Sequence, residues 1–119
     1  MDYVFDTYAL LEIISGNDNY KNYLDGGVVI NTFIFAELSY ILIRDNHPNA
    51  HKLLDKYSKF ILSGKPQLIK EAMVFRYKNK KKGLSIPDCI SYFMAKDLNI
   101  KFLTGDKEFK DVDNVEFVK

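Results

Sequence analysis

Asp6, Glu37, Asp88 and Asp106 are four carboxylates at places where a chain alternating short strands and helices gathers its functional side chains. Asp6 ends the apolar run Tyr3-Val4-Phe5, and Asp106 follows the turn Thr104-Gly105. Glu37 lies three residues after Ile34 and four before Ile41, so it projects from the apolar stripe of its helix, where a lone Glu is costly. Asp88 follows Pro87 in the first turn of a helix, with Tyr92 and Ala95 on the same face. Two carboxylates about 4 Å apart repel by roughly 4 kcal/mol at an effective dielectric of ~20. Converging acids are therefore not kept for stability. A hard divalent cation removes the cost, and oxygen-only ligation is the chemistry of Mg²⁺ or Mn²⁺.

Taken one at a time, three of these acids also fit structural roles. Asp6 reads as a cap of the following helix, Asp88 as a first-turn acid favoured by the helix dipole, and Asp106 as turn chemistry. Glu37 has no such ready role. His47 and His51, four apart near a helix start, lack the further ligands that zinc needs, and neither lies near a nucleophile. Cys89 is the single cysteine, which removes disulfides and Cys-based zinc sites and fits a reducing cytosol.

The elements that must position these acids follow from apolar runs and caps. Strands are expected at Tyr3–Phe5, Val28–Ile30, Lys101–Leu103 and Val115–Val118. Helices are expected over 7–15, 20–24, 32–44, from Pro48 to Ser63-Gly64, from Pro66 to Lys82 with Gly83 as its stop, and 85–98. Short apolar strands separated by helices, without hairpin turns, indicate a three-layer α/β/α sandwich around a parallel sheet. Ligands in such sheets sit beyond the carboxyl ends of the strands. Asp6 and Asp106 stand there.

The 119 residues fit a single domain spanning 1–119, and 9 Phe and 8 Tyr supply core material. No apolar run approaches a membrane span, and no signal segment is evident, so a cytoplasmic protein is expected. The net charge of +1 hides a division: residues 1–59 carry 5 basic and 8 acidic side chains, residues 60–119 carry 12 and 8. Arg76, Lys78, Lys80, Lys81 and Lys82 concentrate the basic excess beside the Asp88 helix. An acidic pocket repels phosphate, so these side chains, with Tyr77 available for stacking, suit the approach of a polyanionic substrate; a solvated helix end complementing the dipole fits them equally.

The runs Val4-Phe5-Asp6-Thr7-x-x-Leu10-Leu11, Phe35-Ala36-Glu37-Leu38, Leu84-Ser85-Ile86-Pro87-Asp88 with Ala95, and Phe102-Leu103-Thr104-Gly105-Asp106-Lys107-Glu108-Phe109 resemble the PIN domain family across essentially the whole chain. The compact size is similar to the VapC-type toxins of toxin–antitoxin pairs. The resemblance implies a four- or five-stranded parallel sheet and a Mg²⁺- or Mn²⁺-dependent endoribonuclease leaving 5′-phosphate and 3′-hydroxyl ends. It makes Asp6, Glu37, Asp88 and Asp106 the metal-binding acids. Thr7 and Thr104 become hydroxyls that hydrogen-bond a carboxylate or metal-bound water. It also implies a VapB-like antitoxin, able to insert a basic side chain among the acids, and a homodimer. The chain departs from the family pattern after Asp88, where small residues are usual and Cys89, Ser91 and Tyr92 stand.

Three other readings compete. A phosphatase of the haloacid dehalogenase type shares Phe5-Asp6 and Gly105-Asp106, but its chemistry needs an acid two residues after the nucleophile, where this chain has Tyr8. A receiver domain needs adjacent acids after its first strand, and they are missing. A PIN-like module that binds RNA without cutting it is the alternative from another class.

Overall fold

Residues 2–119 are described by the computed structural model. Tyr3–Phe5 forms strand β1 and leads directly into helix α1 (Thr7–Ser15), which ends at Gly16 in the left-handed conformation, φ 83°. A 3-10 helix at Asp18–Tyr23 precedes strand β2 (Val28–Val29) and helix α2 (Thr32–Arg44). Helices α3 (Ala50–Ser58) and α4 (Pro66–Lys78), a 3-10 turn at Lys80–Lys82 and helix α5 (Ile86–Asp97) follow. Strand β3 (Lys101–Thr104), a 3-10 turn at Lys107–Phe109 and strand β4 (Val115–Phe117) complete the order.

The four strands pair in parallel in the order β2-β1-β3-β4. Their side chains alternate between faces as a pleat requires. Val4 and Phe102 pack with α4 and α5 residues such as Ala72, Ile90 and Ala95, whereas Phe5 and Leu103 pack with Leu10, Ile34, Leu38 and Tyr57 on the other side. Burial on both faces explains why these strands read as continuous apolar runs, and each such side chain contributes about 1.5–3 kcal/mol. The three-layer arrangement expected from the sequence is present, with four strands.

Strand order places a switch point between β1 and β3: the chain leaves β1 toward β2 on one side, and the later strands build on the other. The crevice beyond the strand ends opens there, and the Asp6 amide donates to the Leu103 carbonyl (3.2 Å) at its base. A buried bond spans α2 and α5. Asn31 caps α2 by accepting from the Ile34 amide (2.9 Å), and its Nδ2 donates to Ser91 Oγ (3.0 Å). The helices carrying Glu37 and Asp88 are thereby held against each other.

Cys89, Ser91 and Tyr92 all go into the core. Tyr92 packs on Phe102 and Phe109 and donates its hydroxyl to Asp113 Oδ1 (2.7 Å). The larger residues after Asp88 thus fill volume under the sheet.

Two helix ends differ from expectation. The helix expected from Pro48 to Ser63-Gly64 spans only Ala50–Ser58, because the chain turns out to pair Ile61 with Ile30: the Ile30 amide donates to Phe60 O (3.1 Å) and the Leu62 amide to Ile30 O (2.8 Å). Sheet hydrogen bonds there replace another turn of helix. The next helix ends at Lys78 and not Lys82, with three lysines tightened into a 3-10 turn before Gly83 (φ 65°). Among the described residues, no helix is long and apolar enough to cross a membrane.

Candidate active site

Asp6, Glu37, Asp88 and Asp106 line one cavity of about 660 Å³ at the switch point, together with Thr7, Tyr8, Ser85, Gly105, Lys107 and Lys119. Each acid arrives on a different element: the β1–α1 junction, the middle of α2, the first turn of α5 and the loop after β3. The capping roles read from the sequence are real, and they coexist with convergence. Asp6 Oδ1 accepts from the Ala9 amide (2.7 Å) as the cap of α1, and Asp106 Oδ1 accepts from the Glu108 amide (3.0 Å). A carboxylate has about four lone-pair sites, so a cap leaves capacity for another partner.

Both threonines hydrogen-bond to acids of the cavity. Thr104, fully buried, donates its hydroxyl to Asp6 Oδ2 and accepts from the Asp106 amide (3.0 Å), coupling the acids after β1 and β3. Thr7 donates to Glu37 Oε1 (2.7 Å), which ties α1 to α2. Ser85 accepts from the Asp88 amide (3.1 Å) and starts α5.

Asp6 is 1% exposed, and among the described residues no basic side chain is bonded to it. Burial above all, then the charges of Asp88 and Asp106, push it from 3.8 up to about 8 against the pull of its Thr104 and Ala9 bonds. Asp88 is pushed to about 7 by burial and by the charges of Glu37 and Asp106, opposed by its contact with Ser85. Such values mark carboxylates that lack a counter-charge. An oxygen-only set of this kind fits a hard divalent cation. Among the described residues, however, no three acidic, histidine or cysteine side chains already stand in an arrangement that could hold an ion. Glu37 is tied to Thr7, and Asp6 to Ala9 and Thr104.

Gly105 lets the loop between Thr104 and Asp106 pass close to Tyr8 and Val118. A Cβ there would lie 2.1 Å from Tyr8 Cε1 and 2.6 Å from the Val118 carbonyl oxygen. The ring can swing aside but the Val118 backbone just beyond β4 cannot. Gly105→Ala is expected to cost about 1–3 kcal/mol, typical of overpacking, read as a lower urea midpoint; an unchanged midpoint would show that this approach does not constrain the loop.

The basic segment lies elsewhere. Arg76 Nε donates to Leu84 O (2.9 Å), and Arg76, Tyr77 and Lys80 line a separate cleft of about 420 Å³ with Gly83 and Leu84. Lys80 Nζ sits 4.9 Å from the centre of the Tyr77 ring, which is 70% exposed. Lys78, Lys81 and Lys82 are exposed and line neither cavity. The cations on the acidic cavity are instead Lys107 and Lys119, which sequence reasoning did not single out. For Lys107 the adjacency to Asp106 was an available signal. For Lys119 there was none.

The fold has counterparts in solved structures. A chain of a toxin–antitoxin complex from Klebsiella pneumoniae superposes with a TM-score of 0.77 at 19% identity, over 96% of this chain and 95% of that one. A chain of VapBC2 from Rickettsia felis, bound to a DNA fragment from its promoter, gives 0.73 at 22% identity with both chains fully covered. PAE2754 from Pyrobaculum aerophilum gives 0.68 at 17% identity, over 98% and 92%. No curated protein sequence matches significantly. The PIN domain family model matches residues 3–115, a stretch that takes in all four acids, strands β1 to β3 and the start of β4, and the chain therefore belongs to the PIN domain family.

Proposed function

We propose that the chain is a Mg²⁺- or Mn²⁺-dependent endoribonuclease of the cytoplasm, the toxin of a VapBC-type toxin–antitoxin pair. The observation that carries this reading is the convergence of four acids from four elements on one cavity, with Asp6 buried and without a counter-charge. Family membership and likeness to toxin–antitoxin chains support it.

In this reading Asp6, Glu37, Asp88 and Asp106 hold the cation. When bound, it would polarise a phosphodiester and lower the pKa of a water. Thr104 keeps Asp6 oriented and fixes the loop that carries Asp106, while Thr7 restrains the longer Glu37 side chain. Arg76, Lys78, Lys80, Lys81 and Lys82 receive more distant parts of the RNA. A VapB-like antitoxin and a second copy of the chain are the protein partners; exposed Phe33, Tyr40 and Ile43 along α2 support a protein partner on that face.

The test is cleavage of a panel of structured RNAs in Mg²⁺ or Mn²⁺, with and without EDTA. Cutting that EDTA abolishes is the expected result. Binding without any cutting in either metal would favour the non-catalytic RNA-binding module and overturn the nuclease reading.

A further inference from the structure

Lys107 and Lys119 are the basic side chains that line the acidic cavity, and among the described residues neither forms an ion pair. Their charges are not consumed by the fold. Lys119 is nevertheless held in place from several directions. Asn19 Nδ2 donates to its carbonyl (3.0 Å), the Tyr20 hydroxyl donates to Val118 O (2.5 Å), and the Val118 amide donates to Thr104 O (3.0 Å). The ammonium donates to Gly105 O (3.3 Å) and stands 5.3 Å from the centre of the Tyr8 ring. Tyr8 in turn lies against Gly105, beside Asp106. An exposed lysine left to solvent samples many rotamers; this one is restrained on the wall of an acid-lined cavity without neutralising any acid there.

A polyanion entering this cavity meets four carboxylates and needs positive charge on the same wall. The cleft of Arg76 and Lys80 cannot supply it there, since neither residue lines the cavity. We infer that Lys119, presented by Tyr8, Gly105 and the Asn19–Tyr20 tether, and Lys107 beside Asp106, bind backbone phosphates of the RNA flanking the site of cleavage. This assignment rests on the ribonuclease reading and adds to it the side chains that bring the phosphate chain into the acidic cavity.

The experiment is binding of a fluorescently labelled single-stranded RNA by anisotropy in EDTA, where cleavage is absent, across a series of NaCl concentrations. Each lost phosphate contact on a single strand lowers the magnitude of the log K against log salt slope by about 0.7. Lys119→Ala and Lys107→Ala should each produce that change, Lys119→Arg should retain the wild-type slope, and Lys101→Ala, at the opposite end of β3, should also retain it. Thermal melts of the variants verify folding. A wild-type slope in Lys119→Ala and Lys107→Ala, with RNA cleavage by the parent protein intact, overturns this assignment and leaves the nuclease reading standing. A parent protein that neither binds nor cuts RNA overturns both.

Discussion

Asp6→Asn is expected to reduce RNA cleavage by more than about 100-fold while preserving the fold. Neighbours of metal ligands already cost about 10–100-fold when replaced, and Asp6 is the most enclosed of the four acids, at 1% exposure. Asparagine retains an oxygen to accept from the Ala9 amide, so the cap of α1 survives, and its amide can donate toward Thr104. It removes a charge that burial and Asp88 both oppose. Activity and stability should therefore move in opposite directions: cleavage falls, and the metal-free protein at pH 8 melts no lower than the parent. Measured rates on one RNA and parallel thermal melts decide this. Equal cleavage by Asp6→Asn would remove Asp6 from the site, whereas a collapsed melt would mean that the carboxylate is needed for folding.

The same electrostatics make stability depend on pH in a definite direction. Asp6 is pushed up to about 8 and Asp88 to about 7, above the 3.8 of an unburied aspartate. The folded state therefore binds protons more tightly than the unfolded state between these values. Stability contributed by the protonated groups is complete below about pH 4 and is lost as pH rises toward 8, in the absence of a cation. Mg²⁺ or Mn²⁺ competes with those protons, so its binding strengthens over the same interval. Adding either ion at pH 8 should raise Tm by about 5 °C or more, the shift that roughly 1 kcal/mol produces in a chain of this size; at pH 5 the gain should be much smaller. Asp6→Asn should flatten the metal-free pH dependence. Equal metal shifts at both pH values, or a metal-free Tm that climbs from pH 5 to pH 8, would show that the acids do not form a common cation site.

Much of the scaffold was legible because both faces of the central strands are covered. Val4, Phe5, Phe102 and Leu103 are all fully buried, so their apolar runs mark strands without any need for alternation. Helix starts were legible where a side chain caps locally: Asp6, Asn31 and Ser85 each accept from an amide three residues on. Where an end is decided by distant pairing the sequence carried no signal. The Ile61 bridge to Ile30 cuts α3 short, and nothing near Ser58 announces it.

The acidic set divides in the same way. The sequence by itself determined which carboxylates follow strand ends and that Glu37 sits on a largely apolar stripe, because strand ends and helical faces are local patterns. Tertiary structure alone decided that these acids share a cavity while remaining separately tethered, since Thr104 to Asp6 and Thr7 to Glu37 are contacts across 98 and 30 residues. It also relocated the positive charge that matters at the cavity. A run such as Lys80-Lys81-Lys82 is conspicuous in a sequence, yet it lies outside the acid-lined wall. Lys119 gains its place through bonds from Asn19 and Tyr20 to its own segment, about a hundred residues apart in the chain. Local propensity can encode neither contact, because only closure of the sheet brings those segments together.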